Sequence, residues 1–210
     1  MRLSASAVKK LKTALIIFVR QPISGKVKAR LAKTIGDEKA LIIYKELLQH
    51  TRAITQALLC DKYVFYADDI AQYDIWENAI YQKLTQSGND LGERMKAAFD
   101  ILFRKGYQHI CVIGSDCYEL TTAIIQQAFD ALQQYDVVIG PSADGGYYLL
   151  GLSRMRPALF TNIEWSSNKV LAQTISACIV SDCSHILLPM LHDIDEEEDW
   201  IQYQTKQAAV

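Results

Sequence analysis

Ile110-Cys111-Val112-Ile113-Gly114-Ser115-Asp116-Cys117 is the stretch that decides the fold. Its first four residues are apolar and rich in β-branched side chains, the pattern of a strand covered on both faces of a sheet. Gly114 and Ser115 then release the chain, and Asp116 carries a carboxylate out at the strand's C-terminal end. That rim is where open α/β sheets hold their ligands.

Working outward, Thr13–Val19 is a second run of the same kind, and the segment 20–36 reads as a loop after it. Asp37 is placed to cap a helix, because Leu41, Tyr44, Leu48, Thr51, Ile54 and Leu58 recur at helical spacing. Residues 63–67 read as a strand. Between 68 and 86 a helix at 73–79 and a short strand at 81–85 both fit. Asp90 can cap a helix that buries Leu91, Met95, Phe99 and Leu102 and ends at Gly106.

Downstream of Asp116, Thr121 caps a helix running through Ala128 and Leu132, and 136–139 forms another strand. Strands and helices that alternate in this way predict parallel crossover units. The fold class is therefore α/β: three α/β/α layers around a mixed, mostly parallel sheet. Residues 147–152 are strand-like but follow the preceding strand too closely for a crossover, which predicts an antiparallel strand or one at the sheet edge. A helix over 170–179, a strand over 186–188 and a terminal helix over 196–204 complete the chain, with Glu196 to Asp199 supplying favourable charge to the last helix's first turn. No linker or repeat interrupts residues 1–210, so one domain is expected.

Half of the 210 residues are apolar, 22% are charged, and the formal net charge is −2. Such a balance gives no general attraction to nucleic acid or anionic lipid, and any anion site must be built from a few local cations. Cys60, Cys111, Cys117, Cys178 and Cys183 include no C-x-x-C pair, which points to reduced thiols and a cytoplasmic protein. Arg2, Lys9, Lys10 and Lys12 precede the apolar run 14–19, but that run is shorter than a signal-peptide core. No stretch has the length needed to span a bilayer. His50, His109, His185 and His192 lack metal-ligand spacing, so no zinc site is expected.

The first loop carries Ser24 and Gly25, whose backbone N–H groups can turn toward a ligand, beside Lys26, Lys28, Arg30 and Lys33. Phosphate suits that set, Arg30 being able to grip its oxygens in pairs. Neither a Walker loop nor a G-x-G-x-x-G is present, and a solvated basic turn would use the same residues. Asp116 at the rim could share Mg2+ or Mn2+ with a diphosphate, or simply cap its own turn. Asp193 and Asp195 alternate along an extended segment, so only one can join Asp116; the other is expected to cap the terminal helix or orient backbone. Asp144-Gly145-Gly146 is a tight turn open to substrate, with Tyr147 and Tyr148 beside it, although a β-turn alone needs no more. Residues 87–94, with Asp90 and Arg94, can meet a base or phosphate at the positive end of a helix.

Taken in order, the motifs resemble a bacterial family of glycosyltransferase-A-like proteins, described as glycosyltransferases or nucleotide-diphospho-sugar transferases and associated with radical-SAM genes. The likeness runs through Phe18-Val19-Arg20-Gln21-Pro22 with Gly25, Lys28, Arg30 and Leu31; residues 88–95; Gly114-Ser115-Asp116-Cys117; residues 140–151; Trp165-Ser166; and residues 188–199. It implies the nucleotide-diphospho-sugar transferase (GT-A-like) fold shared with the phospholactate and molybdenum-cofactor guanylyltransferases. By the same resemblance the first loop through Lys28 and Arg30 would hold nucleotide phosphates, and Arg20, Ser24, Gly25, Asp90, Arg94 and Ser115 are the further nucleotide- and phosphate-binding candidates. Asp116 and Asp195 would hold the divalent ion. Ala29 stands where the family usually has Thr, and Tyr118 where it has Pro.

The expected chemistry is metal-dependent transfer from a nucleotide sugar to a small-molecule acceptor, with Mg2+ or Mn2+ offsetting charge on the leaving diphosphate. Asp116 and Asp144 are the catalytic candidates, Asp144 orienting or deprotonating an acceptor held by Gly145, Gly146 and Tyr147. The same parts would serve nucleotidyl transfer from a nucleoside triphosphate to a phosphorylated acceptor, or a nucleotide-binding protein without turnover.

Overall fold

A computed structural model describes residues 11–208; Arg2, Lys9 and Lys10 lie outside them. The strands are β1 (Thr13–Val19), β2 (Asp61–Tyr66), β3 (Tyr81–Thr85), β4 (His109–Ile113), β5 (Val137–Pro141), β6 (Tyr147–Leu152) and β7 (His185–Leu187). The helices are α1 (Ala29–Ile35), α2 (Asp37–Gln56), α3 (Leu91–Arg104), α4 (Thr122–Ala131), α5 (Val170–Val180) and α6 (Glu197–Ala208). A 3-10 turn at Pro157–Phe160, started by its proline, adds an element that no sequence pattern above predicts.

The strands form one sheet in the order β3-β2-β1-β4-β6-β5-β7. Successive residues of β1 enter opposite faces: Leu15, Ile17 and Val19 pack with Tyr44 and Leu48 of α2 and Ile125 and Phe129 of α4. Ala14 and Ile16 pack with Met95, Phe99 and Leu102 of α3 and Cys178 of α5. This two-sided burial is why the strand reads as a continuous apolar run. The mixed α/β/α fold expected from the sequence is the fold observed.

β6 runs antiparallel to both β4 and β5, whereas the other pairings in the sheet are parallel. It lies inside the sheet, not at its edge, because the short turn after β5 folds it straight back between its neighbours. Gly140 makes that pairing possible: a Cβ there would lie 2.4 Å from the Tyr148 ring.

Three local expectations are corrected. The segment 20–36 contains α1, and its neighbour Gly36, at φ 85°, takes the N-cap position expected for Asp37. Asp37 is instead the first residue of α2, its carboxylate in the first turn, where the helix dipole favours it. Residues 73–79 form turns, not a helix, because the Asp74 carboxylate takes the Trp76 N–H at 2.8 Å, the Lys83 ammonium at 2.8 Å and the Tyr66 hydroxyl. Strand β3 does form. Asp90 and Thr121 cap α3 and α4 through the N–H groups of Glu93 (2.8 Å) and Ile124 (3.3 Å). All five cysteines are free, and no helix among the described residues is long and apolar enough to cross a membrane.

Candidate active site at the C-terminal rim

The parallel strands β1 and β4 end side by side, and the chain leaving each turns across the rim. After β1 it passes through Gly25, at φ 74°, and reaches Lys28, whose φ of 50° and ψ of 47° place it in the left-handed region. A long side chain rarely adopts that backbone, so interactions of the side chain must hold it there. They are visible: the Lys28 ammonium lies 2.7 Å from Asp116 Oδ1 and 3.0 Å from Asp195 Oδ1. Its side chain is only 5% exposed, whereas the carboxylates are 43% and 41% exposed. Burial alone would depress the ammonium's pKa, but the two carboxylates more than reverse it and hold the group firmly charged.

Backbone bonds bring the two carboxylates together. The N–H of Ile194 donates to the Asp116 carbonyl at 2.8 Å, fixing the extended segment before α6 against the turn after β4. Asp199 Oδ2 then accepts from the N–H groups of Asp195 (3.0 Å) and Glu196 (2.8 Å). The cap of α6 is therefore Asp199 reaching back, not Asp193. Asp193 is half-buried, accepts the Ser142 hydroxyl at 2.8 Å, and is pushed up to about 7 by burial and by the charge of Asp116, with Ser142 opposing.

These groups line a cavity of about 860 Å3. Arg20, Lys26, Lys28 and Arg30 line one part of it, together with Ser115 and Asp116. The guanidinium of Arg30 approaches Asp195 at 4.0 Å. Tyr44 fixes Arg20 from behind, its hydroxyl accepting the Arg20 N–H at 2.9 Å and donating to the Arg20 carbonyl at 3.1 Å. Burial and the charge of Asp116 push that hydroxyl up to about 12. Towards β2 and β3 the lining continues through Ala67, Gln86, Asn89 and Asp90. Arg94 lines the cavity too, its Nε donating to the Gly88 carbonyl at 3.1 Å.

Towards β6 the wall changes character, to Met95, Tyr147, Tyr148, Trp165 and Ser166, with Asp193 set among them. Trp165 lies flat on the start of α3: a Cβ on Gly92 would sit 2.2 Å from its indole Nε1.

Among the residues singled out in the sequence, Arg20, Lys28, Arg30, Asp90, Arg94, Ser115, Asp116, Tyr147 and Asp195 meet in this cavity. Ser24 and Gly25 do not line it; they lie on the outer side of the first loop, where a Cβ on Gly25 would face Asp37 Oδ2 at 3.5 Å. Asp144, Gly145 and Gly146 are also outside its lining. Asp144 is exposed and accepts the Gly146 N–H at 2.8 Å, while a Cβ on Gly145 would lie 2.2 Å from the Asn168 carbonyl oxygen. The turn is used for packing against the chain before α5. Tyr44 is a cavity group that sequence patterns do not assign to chemistry, and Asp193 is one they weigh only as an alternative partner of Asp116. Tyr44 reads as one more apolar position of its helix, and strand alternation sets Asp193 apart from Asp195.

Asp116 and Asp195 suit a hard divalent ion. Both present carboxylate oxygens to the cavity from different segments, and Mg2+ or Mn2+ usually takes one or two carboxylates and completes its shell with phosphate and water. Among the described residues no group of three or more His, Cys, Asp or Glu is arranged to hold an ion.

The sheet order, the single reversed strand and the rim cavity together define a nucleotide-diphospho-sugar transferase fold. The chain belongs to the bacterial family described as "uncharacterized protein conserved in bacteria" (DUF2064), whose model matches residues 50–167. A proposed nucleotide-diphospho-sugar transferase of Desulfovibrio desulfuricans G20 is 31% identical over 94% of this chain and 88% of its own, with a TM-score of 0.86. Two more distant structures share the fold. CMP:2-keto-3-deoxy-manno-octonic acid synthetase complexed with CTP is 9% identical, with a TM-score of 0.55 over 94% of this chain and 99% of its own. The 4-diphosphocytidyl-2C-methyl-D-erythritol synthase of Anaerococcus prevotii DSM 20548 is 10% identical, with a TM-score of 0.56 over 94% of this chain and 96% of its own. No curated protein matches the chain.

Proposed function

We propose that this protein is a glycosyltransferase that uses a nucleotide-diphospho-sugar donor. The observation that carries the reading is the meeting of Lys28, Asp116 and Asp195 at the rim of β1 and β4, inside a cavity that also holds Arg20, Arg30 and Arg94. The name of the 31% identical relative, a proposed nucleotide-diphospho-sugar transferase, supports this reading, whereas the two more distant synthetases share only the fold.

Lys28 and Arg30 hold the diphosphate, one as a buried point charge and the other as a planar fork. Arg20, Ser115, Asp90 and Arg94 surround the nucleotide. Asp116 and Asp195 would hold a divalent cation, which when bound supplies positive charge beside the leaving diphosphate. The acceptor hydroxyl attacks the anomeric carbon, the bond from that carbon to the diphosphate oxygen breaks, and the nucleoside diphosphate departs. Asp193 is the carboxylate that receives the hydroxyl proton; it lies in the cavity, whereas Asp144 faces solvent.

The wall chemistry favours this over nucleotidyl transfer. Among the described residues the cations of the cavity belong to the loop after β1, the start of α1 and α3, while the β6 side offers Tyr147, Tyr148, Trp165 and Ser166. A neutral acceptor with a sugar or apolar face suits that side better than a phosphorylated one. The deciding experiment incubates the protein and Mn2+ with UDP-, GDP- and CDP-sugars and, separately, with nucleoside triphosphates. Free nucleoside diphosphate is the expected product, and its appearance should be lost in Asp116→Asn together with metal-dependent nucleotide binding by calorimetry. Pyrophosphate release would replace this reading with nucleotidyl transfer. Tight binding without turnover on any acceptor would leave a nucleotide-binding protein.

A further inference from the structure

The cation that joins the two candidate metal ligands in this structure is the protein's own. Lys28 Nζ contacts one oxygen of each carboxylate, at 2.7 Å for Asp116 and 3.0 Å for Asp195, from a side chain 5% exposed. We propose that Lys28 keeps this pair from taking up free divalent metal, so that the ion enters only together with nucleotide phosphates, which then share the ammonium. This rests on the nucleotide-sugar reading above and adds to it the species the site accepts: a metal-chelated diphosphate, not the bare ion.

The cause is electrostatic. Two carboxylates alone would present two negative charges to a divalent ion, but the buried ammonium cancels one of them and occupies an oxygen on each. Arg30, 4.0 Å from the second oxygen of Asp195, weakens the remaining field further. Protein groups alone do not complete an ion's shell here, since the described residues offer no third carboxylate, imidazole or thiolate in ligating position. A diphosphate changes each of these conditions at once. It brings oxygen ligands for the ion and negative charge for Lys28 and Arg30, and so frees carboxylate oxygens to turn to the metal. The left-handed backbone of Lys28 fits a side chain aimed at this position by its ion pairs, since that conformation is unfavourable for a lysine.

The test follows free Mn2+ by electron paramagnetic resonance, first with protein alone. Lys28→Met should bind Mn2+ at least about tenfold more tightly than the wild type, because one charge at contact distance is worth more than that in a half-exposed site. Lys28→Arg, which keeps the charge, should stay near the wild type. Equal affinity in wild type and Lys28→Met, or no binding by either, overturns the proposal, with circular dichroism confirming that each variant is folded. A second measurement needs no variant: wild-type affinity for Mn2+ should rise at least about tenfold in saturating UDP, GDP or CDP. An unchanged affinity in a nucleotide that demonstrably binds also overturns it. If no nucleotide binds under any condition, the transferase reading fails instead, and the protein-alone comparison still decides the role of Lys28.

Discussion

The ring of Tyr118 lies flat on that of Tyr203, with centroids 4.3 Å apart and planes 7° from parallel. Trp200 adds a third ring, 6.0 Å from Tyr118. The stack joins the turn that carries Asp116 to α6, the helix whose Asp199 holds the backbone of Asp195. Glu119 strengthens the same seam, accepting the Lys206 ammonium at 2.8 Å and the His192 N–H at 2.9 Å. Tyr118 thus clamps the segment bearing one candidate ligand to the segment bearing the other.

Tyr118→Ala should therefore loosen α6 before the sheet is affected. An aromatic pair contributes about 0.5–1.5 kcal/mol beyond its buried area, so a fall in melting temperature of a few degrees is expected for a chain of this size. Hydrogen exchange should show lost protection in residues 197–206 with β1 and β4 unchanged, and metal-dependent nucleotide binding should weaken in parallel. Tyr118→Phe, which keeps the stacking ring, should retain both. Full protection of α6 in Tyr118→Ala would sink the idea.

Acid should find a weak point on the opposite rim. Asp136, before β5, contacts Arg156 at 2.7 Å and Arg154 at 2.9 Å and accepts from Ser184 N at 3.2 Å and Oγ at 3.1 Å. Burial works to raise its pKa, but the Arg156 and Ser184 hydrogen bonds outweigh it and hold the carboxyl at about 2. A folded-state pKa below the unfolded value of about 3.9 stabilises the protein above that value, and the contribution disappears as pH falls from about 4 towards 2. Its size is on the order of 2 kcal/mol, since the side chain is 18% exposed and only lightly screened. Urea melts should show Asp136→Asn less stable at pH 7 and with a flatter loss of stability between pH 4 and pH 2. An acid limb identical to the wild type's would rule this out.

How much of the fold is legible in the sequence follows from which forces are local. Thr13–Val19 and the strand before Asp116 are legible because two-sided burial writes an unbroken apolar run, and the caps at Asp90 and Thr121 because a cap acts within three residues. Helix α1 escapes because its start is a left-handed Lys28 held by carboxylates far along the chain, a contact no local pattern contains. The turns at 73–79 escape for the same reason, since Asp74 is drawn to Lys83 and Tyr66 on neighbouring strands. At the site, charged groups at strand ends are readable. The inward position of Asp193 is not, because it depends on the bridge between Ser142 and Leu191 that sets the segment beside β5.

Asp193 and Asp144 give the sharpest functional contrast. The cavity carboxylate is half-buried and bonded to Ser142, while Asp144 serves its own turn in solvent. Asp193→Asn keeps shape and can still pair with Ser142, yet it cannot accept a proton, so release of nucleoside diphosphate from the donor should fall by about 10^2-fold or more. Donor affinity should be nearly unchanged. Asp144→Asn should leave both close to wild type, and the reverse ranking would return the acceptor role to the exposed turn.

Gly92 tests whether the aromatic wall shapes the cavity. It is a helical residue with ordinary backbone, so alanine there should be harmless or slightly favourable to α3 taken alone. In the folded chain the added methyl would meet Trp165 Nε1 and Cε2 at 2.2 Å, closer than atoms can approach, and the indole must move. Overpacking of this kind costs about 1–3 kcal/mol. Gly92→Ala should lower the urea midpoint, alter the fluorescence assigned to Trp165 by comparison with Trp165→Leu, and weaken binding of the transferred sugar more than binding of the free nucleotide. In the Trp165→Leu background the smaller side chain leaves room, so Gly92→Ala should then cost little stability. If the two substitutions are simply additive, Trp165 does not rest on Gly92 in solution, and the wall facing the acceptor is built by other residues.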